Sequence, residues 1–261
     1  MKRASKCVPF LLAAILLGNN AHAQDKPRVV HVFVALADNA HQGIVPVPAA
    51  LGNGDDADKN LYWGAAFGVR TFFHKSSDWE QIGNTLHHGG SVIETRFFRH
   101  KASGTYLIAD AYRGSEIKQA VGDFFSAAAG LEAPVKFDGP KDGPIQVNKQ
   151  ADLVVYVGHD GLMDFPLEKT FKNAGAPKRQ AIVLACASRQ YFGAALKPTG
   201  AEPLLWTTNL MAPEAYTLKA ALDGWIAGET GEEIRERAAA AYAKYQKISE
   251  KAAIKLFATG W

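Results

Sequence analysis

Cysteine is scarce in this chain, with 2 among 261 residues. Cys7 lies in an N-terminal segment that we expect to be removed, which leaves Cys186 as the only thiol of the mature protein. A single cysteine cannot form an intramolecular disulfide, so stability has to come from a hydrophobic core, which a chain of this length can bury. Cys7 is not placed in a lipoprotein-type cleavage site, which argues against a lipid anchor.

The chain lacks an apolar run long enough to cross a membrane. The one candidate, residues 8–17 near the N-terminus, is too short for a stable membrane span. It follows three basic residues and precedes small residues at Ala21 and Ala23, the three-part pattern of a signal peptide. We therefore predict a signal peptide over residues 1–23, cleaved near Ala23. Residues 24–261 are expected to form a single domain, periplasmic or secreted and not inserted in a membrane.

An excess of charge of one sign is also lacking once the leader is removed. Three of the 29 basic residues and none of the 26 acidic residues lie in residues 1–23, so the mature chain carries equal numbers of each. Proteins that bind nucleic acids usually carry a clustered basic excess. The balance argues against a nucleic-acid partner.

Apolar runs alternate with helical patterns along the chain, without internal repeats, which indicates βα units. The predicted fold class is α/β, a three-layer sandwich with a mainly parallel central sheet.

Residues 37–60 are rich in Gly, Pro, Asn and Asp and predict a long, functional loop. The strands at 92–99 and 105–112 are expected to form a hairpin-like or edge pair. The predicted strands are 29–36, 92–99, 105–112, 152–157, 181–185 and 203–207, and the predicted helices are 61–73, 115–130, 166–174, one from 189, 213–227 and one from 232.

Polar residues follow four of the predicted strands directly. Ligands and catalytic residues in open parallel sheets gather beyond the carboxyl ends of the strands. These positions are therefore the candidates for a functional site. They are Asp38, Asn39 and His41 after the first strand, His159, Asp160 and Gly161 after the central strand, Cys186 after the next, and Trp206, Thr207 and Thr208 at the end of the last.

His159 and Cys186 are separated by one predicted crossover between parallel strands. If the two strands are neighbours, their tips lie about 5 to 10 Å apart. A histidine at that distance can deprotonate a thiol, and a helix N-terminus further stabilises the thiolate. This pattern is typical of a cysteine nucleophile with its base. The alternative is that Cys186 is a small buried apolar residue and His159 a loop hydrogen-bond donor.

The pattern of an apolar run, His159, Gly161, a crossover and a second apolar run ending in Ala185-Cys186 resembles the caspase, legumain, gingipain and clostripain superfamily of cysteine peptidases. The resemblance extends loosely to residues 29–36 and 106–130. It implies a caspase-like fold, a peptide or protein substrate and no cofactor. Cys186 would be the nucleophile and His159 the base, with backbone N–H groups near Gly161 and Cys186 holding the oxyanion.

Two departures from that superfamily keep a second hypothesis open. Asp160 intervenes between the histidine and the glycine, and no glycine follows Cys186 closely. Oxyanion donors must be placed accurately to contribute to catalysis. The first hypothesis is an exported, peptidase-like cysteine hydrolase with a Cys-His dyad. The alternative is a catalytically inactive periplasmic protein that binds a peptide or ligand on the same scaffold. The residues expected to contact the substrate are Asp38, Asn39, His41, Trp206, Thr207 and Thr208.

A third hypothesis is a metal-dependent hydrolase that uses Asp38, His41, His87 and His88. Two adjacent histidines before Gly-Gly are more typical of a turn than of a metal site. Residues 56–60 begin like a calcium loop, but the required glycine and bidentate glutamate are missing. The sequence therefore favours a site without metal.

Overall fold

An eight-stranded sheet forms the centre of the fold, and its first strand is an uninterrupted buried run. All seven side chains of β1 (Val29–Ala35) are buried, and six of them are apolar, as in strands covered on both faces. The predicted signal peptide lies outside the described residues. This computed structural model describes residues 27–131, 136–139, 143–146, 151–173 and 175–261.

Ten strands and six helices lie in the described part of the chain. After β1 the strands are β2 (Trp79–Leu86), β3 (Val92–His100), β4 (Tyr106–Tyr112), β5 (Lys136–Gly139), β6 (Gly143–Gln146), β7 (Ala151–Val157), β8 (Gln180–Leu184), β9 (Glu202–Thr207) and β10 (Phe257–Ala258). The helices are α1 (Val69–His74), α2 (Ile117–Ala129), α3 (Ser188–Leu196), α4 (Ala215–Ala227), α5 (Gly231–Gln246) and α6 (Glu250–Ala253). Each of these helices is too short or too polar to cross a lipid bilayer.

The sheet is mixed, which corrects the expectation of a mainly parallel one. Its order is β10-β9-β8-β7-β1-β4-β3-β2. The strands β4, β1, β7, β8 and β9 pair in parallel, whereas β2, β3 and β10 pair antiparallel with their neighbours. The predicted pairing of β3 with β4 is confirmed: the two strands pair antiparallel, and a short turn joins them as a hairpin. β5 and β6 form a separate two-stranded antiparallel sheet.

Helices cover both faces of the sheet. One face packs against α1, α4, α5 and α6 through buried side chains such as Phe73, Leu222 and Tyr242. The other face packs against α2 and α3, where Phe124 and Phe192 are fully buried. The alternation of inward and outward side chains along each strand thus supplies two cores, one on each face of the sheet.

Two predicted helices are wrong in extent or in kind. Residues 61–68 form turns and bends, and α1 begins only at Val69. The predicted helix over 166–174 is irregular over 166–173, and residue 174 lies outside the described residues. Phe171 alone among these residues is buried, so that segment lacks the apolar stripe that holds a helix on a sheet.

Candidate functional site

The tips of β7 and β8 lie side by side at one edge of the sheet. The two strands pair in parallel, with Val157 opposite Leu184, so the prediction that they are neighbours is confirmed. The Gly158 N–H donates to the Leu184 carbonyl oxygen at 3.2 Å, which extends the pairing past the end of β7. His159 and Cys186 each stand two residues beyond the last paired positions. Neighbouring strands are roughly 5 Å apart, so the sheet brings these two residues to adjacent tips.

Gly158 makes the turn that follows β7. Its φ of +154° is a backbone conformation that other residues rarely adopt, and an added Cβ would lie 3.0 Å from the Ala35 carbonyl oxygen. Just beyond this turn, the Tyr156 hydroxyl donates to the His159 carbonyl oxygen at 2.8 Å. The backbone of the histidine is therefore fixed to the strand that precedes it.

A carboxylate holds the imidazole of His159. The His159 side chain is buried, and its Nε2 lies 2.7 Å from Asp164 Oδ2. The same oxygen accepts a hydrogen bond from the Gly43 N–H at 3.0 Å. Asp164 thereby joins the turn after β7 to the long loop after β1. A carboxylate five residues after a histidine carries no standard motif, and sequence reasoning missed it. No sequence signal points to Asp164, because the second contact of its carboxylate comes from Gly43 in the distant loop after β1.

Cys186 is half-buried and has a partner other than the histidine. Its Sγ donates to the Met211 carbonyl oxygen at 3.6 Å. No hydrogen bond joins the imidazole of His159 to this thiol within the part of the chain that the structure describes. Burial raises the pKa of the Cys186 thiol, and the negative charge of Asp160 raises it further. The protonated thiol is therefore favoured in the free protein at neutral pH.

Asp160 is fully buried at the start of a short 3₁₀ turn, Gly161–Met163. Its Oδ1 accepts from the Leu162 N–H at 3.0 Å, but its Oδ2 has no hydrogen-bond partner among the described residues. Burial raises the pKa of this carboxyl to about 7. The residue that separates His159 from Gly161 in the sequence is thus a buried acid whose charge changes near neutral pH.

Ala187 turns the chain sharply between Cys186 and α3. Its φ of +46° lies in the left-handed region, and its N–H donates to the Asn209 carbonyl oxygen at 2.9 Å. A residue other than glycine in this region is strained, and such strain is concentrated at functional sites. The turn places Cys186 immediately before the N-terminus of α3, where the helix dipole favours a negative charge.

The three residues at the end of β9 that are predicted to contact substrate differ in their exposure. Trp206 is 2% exposed, and its ring packs edge-on against Trp261. The Thr207 hydroxyl is buried, donates to the Ala185 carbonyl oxygen and accepts from the Ser188 N–H at 3.0 Å. Both side chains are therefore buried in contacts within the protein and cannot reach a substrate from these positions. Thr208 is exposed, and its hydroxyl donates to the Lys255 carbonyl oxygen.

The loop after β1 is fixed by Asp38 and Asn39, which leaves His41 facing solvent. Asp38 is buried and accepts hydrogen bonds from the Ala40 N–H and from His41 Nδ1 at 2.9 and 2.8 Å. The Asn39 side chain bonds both the N–H and the carbonyl oxygen of Val47. The His41 side chain is 60% exposed, and Asn39 is also exposed.

The described residues contain no group of three or more His, Cys, Asp or Glu side chains arranged to hold a metal ion. His87, one of the histidines of the metal hypothesis, instead bonds Thr95 Oγ1 at 2.9 Å through its Nε2. The candidate site consists of a thiol, an imidazole and two carboxyls at neighbouring strand tips.

The chain matches no family model, no curated protein and no solved structure.

Proposed function

We propose that the protein is an exported cysteine hydrolase, peptidase-like in its chemistry, with Cys186 as nucleophile and His159 as base. The single observation that carries this proposal is the position of both residues at adjacent tips of the parallel strands β7 and β8. A sulfur and an imidazole brought together in this way are the minimal machinery of nucleophilic catalysis by cysteine. The buried, carboxylate-bound state of His159 adds support, because a base has to be oriented to act.

The proposed reaction has two steps. His159 takes the proton of the Cys186 thiol as the sulfur attacks the substrate carbonyl carbon, and the imidazolium then gives that proton to the leaving amine as the C–N bond breaks. Water next attacks the thioester: its hydroxyl joins the acyl carbon, the C–S bond breaks, and its proton passes through His159 to the departing sulfur. Backbone N–H groups at Gly161 and Cys186 are assigned to the oxyanion, and His41 and Thr208 to substrate contact.

Export and the caspase-like fold belong to the same proposal. The three parts of the leader in residues 1–23 support export. Helices on both faces of a central sheet, together with the histidine and the Ala-Cys pair after neighbouring strands, support the fold. The expected substrate is a peptide or protein, because this is the substrate class that the resemblance implies.

The test is hydrolysis of a fluorogenic peptide library by the mature protein. Cys186→Ala should abolish turnover, and His159→Gln should lower kcat/KM by roughly 100- to 10,000-fold because the proton acceptor is lost. Glu168→Gln is the matched control, since Glu168 is an exposed carboxyl in the same segment as Asp164. Turnover that persists in the Cys186→Ala protein would remove this thiol from the mechanism.

The second candidate is a non-catalytic binding protein that uses the same sheet edge. A specific observation favours it: burial and the neighbouring Asp160 both raise the pKa of the Cys186 thiol, whereas a nucleophile is helped by a lower one.

Thiol reactivity separates the two candidates. Iodoacetamide alkylation of the folded protein is measured from pH 5 to 10, in the wild type and in His159→Gln. Alkylation that is slower in His159→Gln than in the wild type supports the hydrolase, because the imidazole then assists the deprotonation of the thiol. Slow alkylation that is the same in both proteins, together with tight retention of a peptide ligand, supports the binding protein.

A further inference from the structure

We propose that Asp164 is a positioning residue for His159: its carboxylate fixes the imidazole with the hydrogen on Nε2, and so leaves Nδ1 as the nitrogen that takes the proton of Cys186. This inference rests on the proposed function, and it adds a third residue to the site. The supporting geometry is the contact of 2.7 Å between His159 Nε2 and Asp164 Oδ2.

The direction of this hydrogen bond follows from the chemistry of the two groups. Asp164 Oδ2 also accepts from the Gly43 N–H at 3.0 Å, so this oxygen acts as an acceptor on both sides. An ionised carboxylate has no proton to donate, and the imidazole must therefore donate from Nε2. A neutral imidazole carries one N–H, which leaves Nδ1 unprotonated. Nδ1 of His159 makes no hydrogen bond with any of the described residues, and is open to accept a proton.

The carboxylate assists again after the proton has moved. When Nδ1 takes the proton of Cys186, the imidazole becomes a cation with an N–H on each nitrogen. A carboxylate at 2.7 Å from Nε2 stabilises that cation by a charge-assisted hydrogen bond. Asp164 touches neither the sulfur nor the substrate in this scheme. It acts through His159 alone.

Gly43 holds the carboxylate from the other side. Beyond its N–H donor, it leaves room for the acid: a Cβ at position 43 would lie 2.7 Å from Asp164 Oδ1. Gly43 has no positive φ, so Gly43→Ala adds a methyl group against the carboxylate without straining the backbone. This substitution displaces Asp164 while the chemistry of every proposed reacting group is kept.

The experiment measures the tautomer of His159 by ¹⁵N NMR of the histidine-labelled mature protein, with the signal assigned from His159→Gln. In the wild type we expect the neutral ring to carry its hydrogen on Nε2. Asp164→Ala should mix the two tautomers. Asp164→Asn should keep the wild-type tautomer, because its amide oxygen still accepts. Gly43→Ala should shift the tautomer in the direction of Asp164→Ala.

Peptide hydrolysis supplies the second arm. Asp164→Ala should lower kcat by roughly 10- to 100-fold with little change in KM, the usual cost of losing the group that orients a functional histidine. Asp164→Glu should restore part of this loss, and Glu168→Gln should have no effect. A purely structural tie between the turn and the loop would change stability but neither the tautomer nor kcat.

The two proposals fail separately. An unchanged tautomer of His159 in both Asp164→Ala and Gly43→Ala would overturn the positioning role, whatever the enzyme does. Retained hydrolysis in Cys186→Ala, or none in the wild type, would overturn the hydrolase while the NMR result for Asp164 still stands. If Asp164→Ala does not fold, Gly43→Ala decides the matter by the same NMR measurement.

Discussion

Replacing Asp160 by Asn should make the protein less sensitive to pH. The Asp160 carboxyl is fully buried, and its Oδ2 lacks a hydrogen-bond partner among the described residues. Asn has the same shape, and its side-chain oxygen can still accept the hydrogen bond from the Leu162 N–H. The substitution therefore removes the titration of this side chain and leaves the 3₁₀ turn in place.

The size of the effect follows from the pKa. Burial raises the pKa of Asp160 from 3.8 to about 7, so the folded state holds a proton that the unfolded chain has already released. Stability from this group is fully present below about pH 4 and is lost as the pH rises to about 7. A shift of about 3 pKa units corresponds to about 4 kcal/mol in the free energy of unfolding. The difference in stability between Asp160→Asn and wild type should grow by that amount across this range, in favour of the variant.

The assay is urea unfolding of the mature protein, followed by tryptophan fluorescence at about pH 4, 5.5 and 8. Other buried acids titrate equally in both proteins, so the difference between the two curves isolates Asp160. Glu168→Gln is the control and should run parallel to the wild type. Parallel curves for Asp160→Asn and the wild type would show that the carboxyl is not held protonated, and would refute the reasoning from burial.

Three further predictions concern the same sheet edge. Alkylation of Cys186 should have a midpoint above the usual thiol range because burial raises the pKa of the thiol, and Asp160→Asn should lower that midpoint by removing a nearby negative charge; an unchanged midpoint contradicts this. Thr207→Val removes the hydroxyl that bonds the Ala185 carbonyl oxygen and the Ser188 N–H, and should lower the free energy of unfolding in urea by about 1–3 kcal/mol. Thr208→Val, on the surface, should lower it by less. Gly158→Ala, at a φ of +154° and against the Ala35 carbonyl oxygen, should cost about 1–3 kcal/mol, and a thermal midpoint equal to that of the wild type would rule out the strain.

Elements with strong apolar patterns were predictable, and those without them were not. β1, β7 and β8 are buried runs, and their positions in the sequence were correct to within a residue or two. β2 was missed because most of its side chains are polar and only Trp79 is buried, so no alternation marks it. β10 has two residues and is held by its pairing with β9, which no local pattern reveals.

The candidate site divides in the same way. His159 and Cys186 were predictable, because residues after apolar strands meet at one edge of a parallel sheet. The burial of Trp206 and Thr207 was not, since these side chains contact Trp261 and Ser188, which belong to other segments of the chain. Asp164 became visible only when the turn after β7 and the loop after β1 were seen in contact.

The sequence alone determined the positions of the main strands, the α/β class and the thiol and imidazole at neighbouring strand ends, because these depend on local apolar runs and their order along the chain. The tertiary structure decided the mixed character of the sheet, the buried state of Asp160 and the carboxylate partner of His159. These depend on contacts such as that between Gly43 and Asp164, which lie 121 positions apart in the chain. No local pattern records a contact of that separation.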